Sequence, residues 1–182
     1  MRKEFREYIE AEIPLIKKYP SALRPLMLRK IRLQKPAADA VYMFRYCLMF
    51  THGSNILRRL VTRRYMQLLV RRYGIFFDFR KGSSFGKGLK FPHPASIIIG
   101  SGVCAGDNCV IYQNVTIGGA RAGDAANDNY PAIGNGCTLF AGCKVLGDIE
   151  VADGTTVGAN AVLLRSTEKD STYAGVPAER IK

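Results

Sequence analysis

A repeat of six residues governs the second half of this chain. Small aliphatic residues recur every six positions in two phases, and the pattern resumes after a break. These positions are Ile97, Val103, Cys109 and Val115, then Ile99, Ala105, Ile111 and Ile117, and later Ile133, Leu139, Val145, Val151, Val157 and Leu163. This period is typical of a hexapeptide β-helix, in which three short strands form each triangular coil and the repeated side chain points inward. The sequence therefore predicts a mainly β fold, a parallel β-helix, over residues 76–182.

Two interruptions of the repeat mark candidate functional positions. Phe79, Phe85 and Phe91 keep the period but are offset by two residues, so the slip falls at Pro92 and His93. Further on, residues 118–131 read GGARAGDAANDNYP, which is polar and rich in glycine. We expect residues 119–131 to protrude from the coil as a loop. Functional residues of repeat proteins often lie at such insertions.

The preceding residues, 1–75, are rich in Arg, Lys, Leu, Met and Tyr and are predicted to form a basic helical region. The whole chain has 27 Lys and Arg against 15 Asp and Glu, a formal net charge of +12, which favours an anionic partner. The arginines between Arg58 and Arg72 alternate with apolar residues and could contact an anionic membrane or an acidic glycan. A solvated face is the alternative. No recognised nucleic-acid module accompanies the charge, so nucleic acid is not an expected partner.

Several other classes of protein are disfavoured. The N-terminus lacks the apolar segment of a secretory signal and no stretch is long enough to span a membrane, so we expect a cytoplasmic protein. The five cysteines have no CxxC spacing and are expected to be reduced packing residues. With only two histidines, His52 and His93, the chain cannot supply the three histidine ligands of a γ-carbonic anhydrase type of site, and no metal is expected.

His93 lies between Pro92 and Pro94, directly before the run SIIIG. Proline restricts its own φ and pushes the preceding residue toward extended geometry, so the backbone around His93 is held in a narrow range. Neutral imidazole is well suited to accept a proton near pH 7. His93 is therefore a candidate general base, with a structural role at a coil corner as the alternative. His52, in the turn-like THGSN, is expected at a helix terminus.

The chain resembles the serine acetyltransferase branch of the hexapeptide-repeat acyltransferases, in particular its shorter members in polysaccharide and lipopolysaccharide biosynthesis. The segments that carry the resemblance are HPASIIIGSGV, VTIGG, NYPAIGNG, AGCKVLGDIEVADGTTVGANAVLL and YAGVPAERI. The resemblance implies a left-handed β-helix that forms a homotrimer, with acetyl-CoA in the groove between subunits. It also implies that His93 takes the proton from the acceptor hydroxyl, and that Asp78, fifteen residues earlier, orients the histidine.

The resemblance further implies which residues bind acetyl-CoA. They are Thr116, Gly118 and Gly119, then Ala141, Gly142, Lys144 and Ala159, and finally Ala174, Gly175, Val176, Pro177 and Arg180. Small residues would let the pantetheine arm approach the backbone, and basic residues would contact its phosphates.

Two departures from the family pattern concern the acceptor. Serine acetyltransferases have Asp immediately before the catalytic histidine and His in the loop, where this chain has Pro92 and Tyr130. Both changes weigh against free serine, and Pro92, Asn114 and Tyr130 become candidate contacts for another acceptor. We therefore expect acetylation of a sugar hydroxyl in a glycan or its lipid-linked precursor. Serine O-acetylation, N-acetylation of an amino sugar and a non-catalytic β-helix scaffold are the alternatives.

Overall fold

A computed structural model describes residues 3–51, 55–78 and 83–182. Its N-terminal part is helical, as the sequence predicts. The helices are α1 (Lys3–Glu12), a 3₁₀ helix (Pro14–Lys18), α2 (Arg24–Gln34), α3 (Pro36–Phe50) and α4 (Ile56–Tyr73). Within the described ranges, none of these helices is both long and apolar enough to cross a membrane. The predictions for His52 and Phe79 fall outside the described residues.

Short strands build the remainder of the chain. They are β1 (Phe76–Phe77), β2 (Ser84–Phe85), β3 (Ile98–Ile99), β4 (Cys104–Ala105), β5 (Val110–Ile111), β6 (Thr116–Gly118), β7 (Ala132–Ile133), β8 (Thr138–Leu139), β9 (Lys144–Leu146), β10 (Glu150–Val151), β11 (Thr156–Val157), β12 (Val162–Leu163), β13 (Thr172–Ala174) and β14 (Glu179–Arg180). Sheet A has the order β1-β3-β6-β9-β12, sheet B the order β10-β7-β4-β2, and sheet C the order β14-β13-β11-β8-β5. The pairs are parallel except β13–β14.

The interior of this β-helix is filled by the residues of the six-residue repeat. Every aliphatic or cysteine position that the repeat predicts to point inward is buried. The register stacks them in columns, for example Ile99 beside Ile117, Ile117 beside Val145 and Val145 beside Leu163. Full burial of one such side chain is worth roughly 1.5–3 kcal/mol, so the columns supply much of the driving force for coiling. The prediction of a parallel β-helix is therefore confirmed.

The slip in the repeat lies at one corner of the triangular coil. Phe91 and Ile99 both point into the core, yet they are eight positions apart instead of six. The two additional residues are accommodated between sheet C, which Lys90 joins through a bridge to Val110, and strand β3 of sheet A. His93 lies in this widened corner.

Helix α3 connects the helical region to the first coils of the β-helix. The ring of Phe44, which is fully buried, makes edge-to-face contacts with Phe77, Phe85 and Phe91 at centroid distances of 5.3, 5.0 and 5.3 Å. Such pairs contribute about 0.5–1.5 kcal/mol each beyond their buried area. The aromatic residues that begin the repeat therefore serve as the surface on which α3 packs.

Arg45, the residue after Phe44, is buried with 1% of its side chain exposed. Its guanidinium donates to Glu12 Oε1 from Nε at 2.9 Å and from Nη2, and it also donates to the carbonyl oxygens of Phe85 and Gly86. Burial raises the pKa of Glu12 to about 7, although the attraction of Arg45 opposes the shift. This ion pair thus links α1, α3 and the turn after β2.

Candidate functional site

The side chain of His93 is exposed at the widened corner. The backbone carbonyl oxygen of His93 accepts a hydrogen bond from the N–H of Ala95 at 2.8 Å, and the backbone N–H of Ser96 donates to Tyr73 O at 2.7 Å. These two bonds and the flanking prolines hold the corner in a defined shape. The imidazole is therefore exposed to solvent on a fixed backbone. A general base must be accessible in this way to reach a substrate that binds from solution.

Aromatic rings continue from His93 along the corner between sheets C and A. Tyr112 lies 6.1 Å from the His93 ring, and Phe140 stacks on Tyr112 at 5.1 Å. Each ring follows an inward residue of sheet C, at the position where the later coils of this sheet have Gly158 and Ala174. Neither Tyr112 nor Phe140 is among the site residues predicted from the sequence, although an aromatic residue where the later coils have a small residue is a readable signal. We call this corner the histidine edge.

Small residues occupy the continuation of the histidine edge. Gly142 donates to Gln113 O at 2.9 Å, Asn160 to Ala141 O at 2.9 Å and Val162 to Gly175 O at 3.0 Å, so successive turns are stacked by backbone hydrogen bonds. The candidate cofactor residues on this edge are Ala141, Gly142, Ala159, Ala174, Gly175, Val176 and Pro177. Ala159, Gly175, Val176 and Pro177 are exposed. The structure therefore aligns the larger part of the candidate cofactor set with His93.

Two further candidates, Thr116 and Lys144, lie on the outer face of sheet A beside this edge. They are register partners in neighbouring strands. The ammonium group of Lys144 donates to the carbonyl oxygen of Asn114 at 2.8 Å. Asn114 itself is an exposed turn residue with a φ of 60° whose N–H donates to Ala95 O. This contact places a positive charge within one coil of the His93 turn.

Asp78, Gly118 and Gly119 lie at the opposite ends of the sheet A strands. Phe77 is the register partner of Ile99, so Asp78 follows the carboxyl end of β1, whereas His93 precedes the amino end of β3. Both side chains are exposed, and among the described residues no hydrogen bond joins them. Gly118 has open space where a Cβ would be, whereas a Cβ on Gly119 would lie 2.7 Å from Asp124 Cβ. The candidate site residues predicted from the sequence therefore lie at two different corners of the coil.

The segment after β6 leaves the coil and returns to it at β7. Asp124 holds it together, because one carboxylate oxygen accepts from the backbone N–H groups of Ala120 at 2.7 Å and Arg121 at 2.6 Å. These bonds, together with one from Asn129, lower the pKa of Asp124. These hydrogen bonds therefore fix the backbone at the start of the loop.

Tyr130 anchors the end of this loop on the β-helix. Its hydroxyl is 2.9 Å from Ser101 Oγ, and its ring covers Gly100 and Gly102 so closely that a Cβ on either glycine would lie within 2.5 Å of a ring carbon. Its partly buried position gives Tyr130 a structural role in addition to its candidacy as an acceptor contact.

Substitution of Gly102 by alanine is expected to detach the loop. The added Cβ would lie 2.3 Å from Tyr130 Cδ2, so the ring must move and lose both its packing and its hydroxyl contact. Limited proteolysis should show faster cleavage within residues 119–131. Gly118→Ala is the matched control because its Cβ meets nothing within 4 Å. Equal cleavage rates in the two variants would contradict the anchoring role.

The last candidate, Arg180, lies on β14 and is exposed. It forms an ion pair with Glu168 and donates from Nε to Lys182 O at 3.1 Å. It is therefore partly neutralised, whereas Lys144 forms no ion pair with the residues that the structure describes. Within the described residues, no cluster of three or more His, Cys, Asp or Glu side chains is placed to hold a metal ion.

Sequence comparisons connect these features to known proteins. Residues 130–165 match the family described as bacterial transferase hexapeptide, six repeats. The chain is 35% identical to a serine acetyltransferase of Synechococcus elongatus over 104 residues, which is 57% of this chain and 42% of the relative. It is also 35% identical to a serine acetyltransferase of Staphylococcus aureus over 113 residues, 62% of this chain and 52% of the relative. The chain thus spans about half the length of these relatives.

Solved structures show the same fold over nearly the whole chain. A serine acetyltransferase of Neisseria gonorrhoeae superimposes with a TM-score of 0.72 and 22% identity, covering 100% of this chain and 66% of that chain. A serine acetyltransferase of Brucella abortus in complex with coenzyme A gives a TM-score of 0.72 and 24% identity, covering 98% and 68%. The predicted left-handed parallel β-helix is confirmed, and so is the resemblance of this chain to the serine acetyltransferase branch of the hexapeptide-repeat acyltransferases.

Proposed function

We propose that the protein is an acetyl-CoA-dependent O-acetyltransferase. The observation that supports the proposal is the histidine edge. His93 is exposed there on a backbone fixed by hydrogen bonds, small residues continue the edge, and Lys144 lies beside it. A relative with the same fold has coenzyme A bound, which supports the assignment of the cosubstrate. When bound, acetyl-CoA supplies an activated thioester, the acetyl donor.

The residues of the edge fit such a cosubstrate. Ala159, Gly175 and Val176 are exposed and leave the stacked turns uncovered, which suits a thin pantetheine chain. Lys144 provides the cation that a pyrophosphate or ribose phosphate requires. Both the charge of Lys144 and the exposed backbone of the histidine edge therefore suit the binding of acetyl-CoA.

In the reaction proposed, His93 accepts the proton of the acceptor hydroxyl as the oxygen attacks the acetyl carbonyl carbon. A base positioned in this way contributes about 10²- to 10⁴-fold in rate. The imidazolium that forms returns its proton to the departing thiolate. A carboxylate at the far ring nitrogen would orient the ring and stabilise its charge, and Asp78 is the candidate.

The positions of Asp78 and His93 favour a site formed by two copies of the chain. Within one chain they lie at different corners of the coil, at opposite ends of sheet A. In a threefold ring, one corner of each copy faces a different corner of the next, as in any heterologous interface that closes. We therefore include the homotrimer in the proposal, with His93 from one copy and Asp78 from its neighbour.

Two acceptor classes compete. The relatives reported above are serine acetyltransferases, which supports serine and does not support the sugar acceptor that the sequence predicts. The observation that still favours a sugar is Pro92, which stands where a serine acetyltransferase has an acidic residue and offers no charge to the amino group of serine. Serine is therefore the first acceptor to test, and a sugar hydroxyl is the second.

The test is release of CoA from acetyl-CoA by the purified chain, with L-serine in one reaction and a panel of sugars and amino sugars in others. Mass spectrometry of the products identifies the acetylated compound and shows whether an oxygen or a nitrogen carries the acetyl group. O-acetylserine would support the serine reading, an O-acetylated sugar the second candidate, and an N-acetylated sugar would overturn the hydroxyl specificity. Binding of acetyl-CoA without turnover of any acceptor would leave a scaffold with a retained cofactor groove and would contradict the proposal.

Replacement of Lys144 by methionine is expected to weaken the binding of CoA. Loss of one solvent-accessible charge pair costs about 1 kcal/mol, which corresponds to about a fivefold rise in Kd. Isothermal titration calorimetry measures the effect. Lys169→Met is the matched control because Lys169 is exposed on the side of β10 and β13, away from the histidine edge. Equal shifts in both variants would indicate a general charge effect instead of a local contact.

A further inference from the structure

The helical region contains a cavity that the proposed reaction does not use. It has a volume of about 650 Å³ and lies between α1, the 3₁₀ helix, α2 and α3. Its floor is apolar and consists of Ile9, Ile16 and Leu28, whose side chains are almost fully buried in the fold. Small-molecule sites in proteins have volumes of about 300–1,000 Å³ and mostly apolar walls with a few polar groups. The size and the floor therefore suit an apolar ligand portion.

The rim of this cavity carries a concentration of positive charge. Arg6, Arg24, Arg29 and Arg32 line it, and Glu10 is the acidic residue among its lining. Glu10 is already neutralised by Arg24, with Nη1 and Oε1 2.6 Å apart. Arg32 is held in place by Asp39 at 2.9 Å and by the face of Tyr42, whose centroid is 3.8 Å from the guanidinium carbon.

The remaining two arginines are available for a ligand. Arg6 and Arg29 are exposed, and neither forms an ion pair within the described part of the chain. Arginine pairs well with phosphate and carboxylate oxygens through its planar fork of donors. An anion at the rim would thus be attracted by two unpaired guanidinium groups and held close to a third that is already fixed by Asp39.

We propose that this cavity binds an amphiphile with an apolar chain and an anionic head, such as an alkyl or prenyl phosphate. The chain would lie on the floor formed by Ile9, Ile16 and Leu28, and the head would contact Arg6 and Arg29. A neutral ligand would leave the charge of the rim unused, and a small anion alone would leave the apolar floor exposed to water. The juxtaposition of the two surfaces therefore selects a ligand that combines both properties.

The test uses octyl phosphate below its micelle-forming concentration, measured by isothermal titration calorimetry against the full chain. Octanol supplies the chain without the charge, and inorganic phosphate supplies the charge without the chain. We expect octyl phosphate to bind at least about tenfold more tightly than either. Binding of inorganic phosphate as tight as that of octyl phosphate would overturn the proposal, as would the absence of saturable binding at about 1 mM octyl phosphate.

Variants locate the binding. Arg6→Gln combined with Arg29→Gln is expected to raise the Kd for octyl phosphate about tenfold or more. The matched control, Arg63→Gln with Arg64→Gln, removes the same charge from exposed positions of α4 outside the cavity and should change the Kd less than about twofold. Ala22→Trp, which places a ring on the cavity wall without changing charge, should also weaken binding. Equal effects of the two arginine pairs would show general electrostatic attraction and would reject the site.

Discussion

Replacement of His93 by alanine is expected to lower kcat for acetyl transfer about 10²- to 10⁴-fold, which corresponds to roughly 3–5 kcal/mol of activation free energy. The reason is that the acceptor hydroxyl loses the base that takes its proton. Because the imidazole is exposed and its neighbours are held by backbone bonds, the substitution should leave the corner folded. Steady-state kinetics with the best acceptor measures the effect.

Two controls separate the loss of a base from a distorted edge. The Kd for CoA should stay within about twofold of wild type, since the proposed contacts with the cosubstrate lie further along the edge. Tyr112→Phe keeps the ring 6.1 Å from His93 and should retain most of the activity. A fully active His93→Ala variant would rule out general base catalysis by this residue.

Replacement of Arg45 by alanine is expected to lower the free energy of unfolding by about 3–5 kcal/mol, the usual cost of removing one partner of a buried ion pair. Three acceptors lose their donor together: the Glu12 carboxylate and the carbonyl oxygens of Phe85 and Gly86. Urea denaturation measures the change. Arg63→Ala, at an exposed position of α4, should alter stability by less than about 0.5 kcal/mol.

The cost of Arg45→Ala should also depend on pH. Burial already raises the pKa of Glu12 to about 7, and loss of the guanidinium removes the attraction that opposes this shift. A folded-state pKa above the unfolded value means that the folded chain holds the proton more tightly, so stability is lost as pH rises between the two values. The variant should therefore be less destabilised near pH 5 than near pH 8. A penalty independent of pH would indicate that Glu12 does not titrate in this range.

The fold was largely predictable because a β-helix is periodic. Each coil repeats the environment of the previous one, so the six-residue spacing of Ile99, Ala105 and Ile111 identified the buried face without knowledge of long-range contacts. The slip at His93 was also visible, since Phe91 and Ile99 are eight positions apart. Local spacing thus located the corner at which His93 projects.

The remaining features depend on contacts between residues distant in sequence. Tyr130 lies on Gly100 and Gly102, which belong to the preceding coil, and its anchoring role cannot be read from the loop sequence. Asp78 precedes His93 by fifteen positions, but the strand register places the two at different corners. The arginine-rimmed cavity forms only when three α-helices and a 3₁₀ helix pack together, and no periodicity in the sequence predicts that packing.

The most direct test of the account is whether one active site combines Asp78 and His93 from neighbouring copies. Asp78→Ala and His93→Ala chains carrying different tags are coexpressed, mixed oligomers are purified through both tags, and acetyl transfer is measured. Each variant alone should be nearly inactive. If the residues come from adjacent copies, one of the three sites is intact in every mixed trimer, so activity should rise to about a third of wild type. Mixed oligomers no more active than either parent would place both residues in one copy or outside the reaction, and would contradict the account.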